Sequence, residues 1–157
     1  VIIVVTYSIK RSLVRPIGET LLKSFLINCI AKELIDKSYS VIYLSAVQFF
    51  DLLADYSFRR ENNSVYRQIS INELEGCDLL IIDDLGTEMS NSFTDSALFD
   101  CLNERLIHQK STIISTNFSI EDLQNKYEER IFSRVIGNYN SFKIFGDDIR
   151  IKKKFTI

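Results

Sequence analysis

The residues best placed to do chemistry are Asp83 and Asp84, which follow directly on the apolar run Leu79-Leu80-Ile81-Ile82 and precede Leu85-Gly86. Four apolar residues running into two carboxylates is the pattern of a buried parallel strand that delivers acids to its C-terminal edge. In open α/β sheets ligands bind at that edge. Paired acids there suit a hard cation such as Mg²⁺ and a water aimed at a phosphate. The stretch reads as a Walker B strand, with Asp83 toward the metal and Asp84 toward the attacking water. The alternative is that the acids simply end a strand in water.

Other residues extend this site. Asn117 closes the run Ser111-Thr-Ile-Ile-Ser-Thr-Asn117. An amide at the same edge could position the water, or could merely form a turn. Arg130 and Arg134, four apart, share a helical face. One could reach a neighbouring subunit's nucleotide, or both could pair with Glu128 or Glu129 on a solvated helix. A phosphate loop requires Gly-x4-Gly-Lys-Ser/Thr, so that backbone N–H groups can wrap the phosphates. The best candidate is Ile17-Gly18-Glu19-Thr20-Leu21-Leu22-Lys23-Ser24. Lys23-Ser24 opens a helix as required, but Ile17 and Leu22 occupy the two glycine positions, and Leu22 resists positive φ. Glu19 sets a negative charge beside an anion.

The elements around these residues follow from spacing. Val1–Val5 is β-branched and reads as a buried strand. Leu26, Ile27, Ile30, Ala31, Leu34 and Ile35 mark the core face of a helix from Leu21 or Lys23 to about Lys37. Val41–Ser45 is a strand and Val47–Tyr56 a helix; residues 57–70 are polar and irregular, and Glu73–Gly76 leads into the acid-tipped strand. A helix over Thr94–His108 turns Leu98, Cys101, Leu102 and Leu106 inward, with Arg105 at the margin. Thr112–Asn117 is another buried strand. Ser119 caps a helix to about Tyr127, with Asp122 at the capping-box position. A short helix over Glu128–Val135 and a strand over Phe142–Phe145 follow, then the basic tail Arg150–Lys154, either a lysine-protected edge or a nucleic-acid contact. Alternating strands and helices imply βαβ units and a mainly parallel sheet between helical layers.

With 157 residues, one domain is expected. A net charge of −2 gives no global basic excess, so any nucleic-acid contact must be local. No apolar run is long enough to span a bilayer, and the N-terminus lacks a convincing signal peptide, which implies a cytoplasmic protein. Cys29, Cys77 and Cys101 show no metal-ligand spacing and read as buried free thiols.

Taken in order, Phe25–Leu34, Tyr39–Leu44, Leu79–Glu88, Leu98–Arg105, Ser111–Asn117, Glu129–Arg134 and Phe145–Arg150 resemble the AAA+ helicase loaders of the DnaC/DnaI type and the related IstB-type transposition ATPases. The resemblance runs from about Lys23 to the C-terminus. It implies a three-layer αβα P-loop NTPase core that uses ATP and Mg²⁺ and couples nucleotide state to a replicative DNA helicase and single-stranded DNA. By the same resemblance Asp83 and Asp84 are the Walker B pair, Asn117 is sensor 1 and Arg134 the arginine finger, which implies self-association. Lys23 is the Walker A lysine and Ser24 the Mg²⁺-binding hydroxyl, with Gly18 and Thr20 in the loop. Residues 1–22 diverge from the family, as frameshift, truncation or genuine divergence would each produce, and the resemblance leads us to expect an ATPase core without the family's N-terminal helicase-docking segment. Two alternatives stay open: a nucleotide-inert AAA+-like interaction module and an IstB-type transposition helper.

Overall fold

The computed structural model describes residues 2–5, 21–57, 69–89 and 91–143. The elements are β1 (Ile2–Val5), α1 (Leu21–Asp36), β2 (Val41–Ser45), α2 (Ala46–Ser57), α3 (Ile71–Gly76), β3 (Leu79–Leu85), α4 (Ser92–Ile107), β4 (Ser111–Thr116), α5 (Ile120–Lys126), α6 (Glu129–Asn138) and β5 (Asn140–Lys143). The sheet has the order β2-β3-β4-β1-β5, with β2, β3 and β4 parallel. Strand parity divides the core. Leu79 and Ile81 face Ile27 and Ala31 of α1, while Leu80 and Ile82 face the larger cluster built with α2, α4 and α6.

β1 departs from the expected βαβ series. It runs antiparallel to both β4 and β5, with Ile2 opposite Thr116 and Val5 opposite Ile113. An antiparallel ladder satisfies the backbone N–H and C=O groups of β1 as fully as a parallel one would. Residues 6–20 and 144–157, with Gly18, Thr20, Arg150 and the basic tail, lie outside the described residues.

Further corrections concern burial and capping. Arg105 is fully buried, not marginal: it donates to the carbonyls of Leu74 (2.7 Å), Glu75 (3.1 Å), Cys77 (3.2 Å) and Ser111, and to Thr112 Oγ1 (2.9 Å). Carbonyls at the end of α3 and the start of β4 thus meet its donors in place of water. Cys29 is exposed because it lies off the row of residues four apart, Lys23, Ile27 and Ala31, that α1 turns to the sheet, and Ile35, which continues that row, is exposed in the last turn of α1. The segment before β3 is the helix α3, fixed by a capping box in which Ser70 Oγ accepts from Glu73 N and the Glu73 carboxylate accepts from Ser70 N. The Ser119–Asp122 box forms as expected.

Candidate functional site

Lys23 lies in the first turn of α1 on the same row as Ile27 and Ala31, so its side chain runs along the sheet and is 1% exposed. Its ammonium donates to Asp84 Oδ1 at 3.0 Å and to Asn117 Oδ1 at 2.8 Å. Asn117 Nδ2 donates in turn to Asp84 Oδ1 at 3.3 Å, which closes a triangle of three residues. Ser24 Oγ donates to Asp83 Oδ2 at 3.1 Å. The structure therefore brings Lys23, Ser24, Asp83, Asp84 and Asn117 to one place at the C-terminal edge of β3.

That both aspartates face α1 requires a device, because consecutive strand residues point to opposite faces. Asp83 has the parity of Leu79 and Ile81 and looks toward α1. Asp84 should look the other way. Its backbone is left-handed (φ 57°), and the β3–β4 register shifts between Ile82 and Leu85. The bulge turns the Asp84 carboxylate back toward Lys23. A non-glycine residue held in this region stores strain of order 1 kcal/mol or more, a cost met by its neighbours and found mostly at functional sites.

Asp83 is buried within a dense set of donors. Oδ1 accepts from Ser115 Oγ and from Asp84 N at 3.1 Å; Oδ2 accepts from Tyr43 OH and Ser24 Oγ. Burial pushes the carboxyl group up, but the hydroxyls of Ser115, Tyr43 and Ser24 and the charge of Lys23 outweigh it, and the pKa falls below the ordinary value. The Tyr43 phenol is raised, by burial and then by its bond to Asp83. Sequence reasoning missed Tyr43 and the role of Ser115. The signal was parity: Ser45 sits opposite Asp83 in the parallel register, so Tyr43, two residues earlier, shares that face.

A second cluster, also missed, fixes the loop after β3. Glu88 is buried; its carboxylate accepts from Gly86 N (2.8 Å) and Tyr127 OH (2.5 Å) and pairs with Lys126 at 3.3 Å. Lys126 also donates to the carbonyls of Gly86 (2.6 Å) and Glu88 (3.0 Å), tying α5 to the acid-tipped strand.

The two arginines stand apart from this site. Arg130 pairs with Glu128 at 2.7 Å and lies over the Phe99 ring, the solvated-helix alternative. Arg134 donates to Asn103 Oδ1 at 2.5 Å and also lies over Phe99. Within one chain neither is bonded to Asp84. Among the described residues no three His, Cys, Asp or Glu side chains cluster as a metal cage. The oxygens of Asp83 and Ser24 are nevertheless hard donors, and Mg²⁺ is ordinarily held by one or two protein groups together with water and phosphate. This donor set fits Mg²⁺.

Strand order, flanking helices and an acid-tipped interior strand meeting a lysine at the start of α1 define an αβα P-loop fold of the AAA+ class. Within that class the chain belongs to the family of IstB-like ATP binding proteins, which it matches over residues 12–156. It is 24% identical over 129 residues to the replicative helicase loader DnaC of Escherichia coli K12, covering 77% of this chain and 51% of that protein. It is 28% identical over 109 residues to the replicative helicase loader DnaI of Bacillus subtilis, covering 67% of this chain and 32% of that protein. The chain thus spans about half, or less, of these curated relatives. In fold it is similar to AMPPCP-bound DnaA from Aquifex aeolicus, with a TM-score of 0.63 at 22% identity over 91% of this chain and 45% of that one. No described helix is long and apolar enough to cross a membrane.

Proposed function

We propose that this chain is the ATP-binding core of a helicase loader, coupling ATP binding and hydrolysis to placement of a replicative DNA helicase on single-stranded DNA. The observation that carries the reading is the convergence of Lys23, Ser24, Asp83, Asp84 and Asn117 at one sheet edge. Family membership and the DnaC and DnaI relatives support it.

In this reading Lys23 exchanges Asp84 for phosphate oxygens, adding a positive charge where negative charge develops. Asp84, released from Lys23, orients a water and accepts its proton; Asn117, bonded to both, fixes where that water sits. Asp83 and Ser24 would hold Mg²⁺, which would supply Lewis-acid stabilisation of phosphate oxygens when bound. Arg134 leaves Asn103 to complete the site of an adjacent copy, so hydrolysis would require self-association.

One specific observation favours a second reading, a nucleotide-inert AAA+-like module. Leu22 and Ile17 replace both loop glycines. A transposition helper of the IstB type would share the site and differ only in partner. Titration calorimetry with a non-hydrolysable ATP analogue separates the first two, and co-purification with hexameric helicase or with transposase separates the third. Mg²⁺-dependent binding of the analogue together with helicase capture is the expected result. Absence of analogue binding with helicase or DNA binding preserved would favour the inert module.

A further inference from the structure

The acceptor capacity of Asp83 is full. A carboxylate offers about four lone-pair positions. Ser115 Oγ and Asp84 N take Oδ1, while Ser24 Oγ and Tyr43 OH take Oδ2. A hard cation can reach this carboxylate only if one donor leaves. Ser115 is fully buried on the central strand β4, and the Asp84 N–H, which belongs to the bulged backbone of β3, is shared between Oδ1 at 3.1 Å and Ser115 Oγ at 2.9 Å, so the donors at Oδ1 hold one another in place. Ser24 is itself a candidate ligand and can turn its lone pairs to the ion without leaving. Tyr43 is different. It sits half-buried on the edge strand β2, its ring packs against the α1 face of the sheet, and its hydroxyl can withdraw from Oδ2 while the ring keeps that packing.

We propose that Tyr43 is a positioning residue that competes with the divalent cation for Asp83 Oδ2, so that cation entry requires release of the Tyr43 hydroxyl. The proposal rests on the assignment of Asp83 and Ser24 as the cation site. Nucleotide binding without a cation leaves the contact closed. Binding with a cation opens it, which makes the site's response to nucleotide depend on the metal.

The test uses the full chain and Tyr43→Phe, which keeps the ring. Mn²⁺ alone, followed by the electron-paramagnetic signal of the free ion, is expected to bind Tyr43→Phe about tenfold more tightly, the scale of one hydrogen bond to a charged group. Asp83→Asn should abolish uptake in both backgrounds. The chain has seven tyrosines and no tryptophan, so its near-ultraviolet spectrum reports phenol hydrogen bonding. Mg²⁺ should shift the tyrosine band of the native chain and leave that of Tyr43→Phe unmoved. Mn²⁺ uptake by Tyr43→Phe no tighter than the native protein's, or uptake that survives Asp83→Asn, overturns the proposal. If an ATP analogue binds neither protein while Mn²⁺ still separates them, the nucleotide reading fails and the Tyr43 competition stands. If the analogue binds both with the same Mg²⁺ dependence, the reverse holds.

Discussion

Lys23 and Asp84 are 61 positions apart in the chain, yet the ammonium and carboxylate meet at 3.0 Å. One partner is buried and the other half-exposed, with side-chain exposures of 1% and 47%. The pair joins the first turn of α1 to the edge of β3, and the left-handed backbone at Asp84 is what allows it.

Asp84→Asn separates charge from shape. Asparagine tolerates positive φ and still offers an oxygen to Lys23. Unfolding should therefore show a loss of only about 1–3 kcal/mol, because the buried Lys23 ammonium keeps an oxygen acceptor while losing its half-exposed counter-charge. Phosphate release, where the native chain shows it, should fall at least about a hundredfold through loss of the general base. Equal activity in the two proteins would remove Asp84 from the chemistry.

Gly86 adopts φ 109°, and an added Cβ would stand 3.0 Å from the Phe118 ring. Gly86→Ala should cost about 1–3 kcal/mol by denaturant titration. Adding Phe118→Leu should recover only part of that loss, because it removes the close contact and not the backbone strain. Full recovery would mean that the backbone conformation matters little.

Arg105 fills the space between α3, α4 and β4 with a buried guanidinium held by carbonyls. Arg105→Met takes the guanidinium donors away from those buried carbonyls, a loss of about 3–5 kcal/mol. Arg105→Lys should recover little, since a point charge cannot reproduce the fork. Circular dichroism melts that overlay the native curve would contradict this.

Asp78 accepts from the Ser40 backbone N–H and hydroxyl and from Lys110, and these lower its pKa to about 2. A depressed carboxylate contributes stability that is complete above its unfolded value of ~3.9 and lost as pH falls through the folded one. Asp78→Asn should lower stability at pH 7 by no more than about 1 kcal/mol, because the group is well exposed. The difference should close between about pH 4 and pH 2. A difference that persists at pH 2 would assign the loss to packing.

Much of this arrangement could be read from residue types. The apolar run before Asp83 placed β3, the spacing of Leu26, Ile27, Ile30 and Ala31 placed α1, and Ser119 with Asp122 placed the start of α5. What could not be read depends on geometry across the chain. The turn of Asp84 toward Lys23 is a backbone event with no residue signature, since aspartate at positive φ is uncommon. Arg105 looked like a margin residue because its acceptors are carbonyls, which composition does not display. α3 was missed although Ser70 and Glu73 spell its capping box, since six residues are too few to show a helical period. The direction of β1 carried no local signal either, because a four-residue apolar run reads the same in a parallel and an antiparallel ladder.

The central claim is that Lys23 and the two aspartates form a nucleotide site despite the missing loop glycines. Titration calorimetry of the native chain and Lys23→Ala with a non-hydrolysable ATP analogue and Mg²⁺ tests it most directly. The expected result is saturable binding by the native protein that weakens at least about tenfold in Lys23→Ala, in keeping with loss of a charge-assisted contact. Equal affinity in the two proteins, or no binding by a folded native chain, would contradict it.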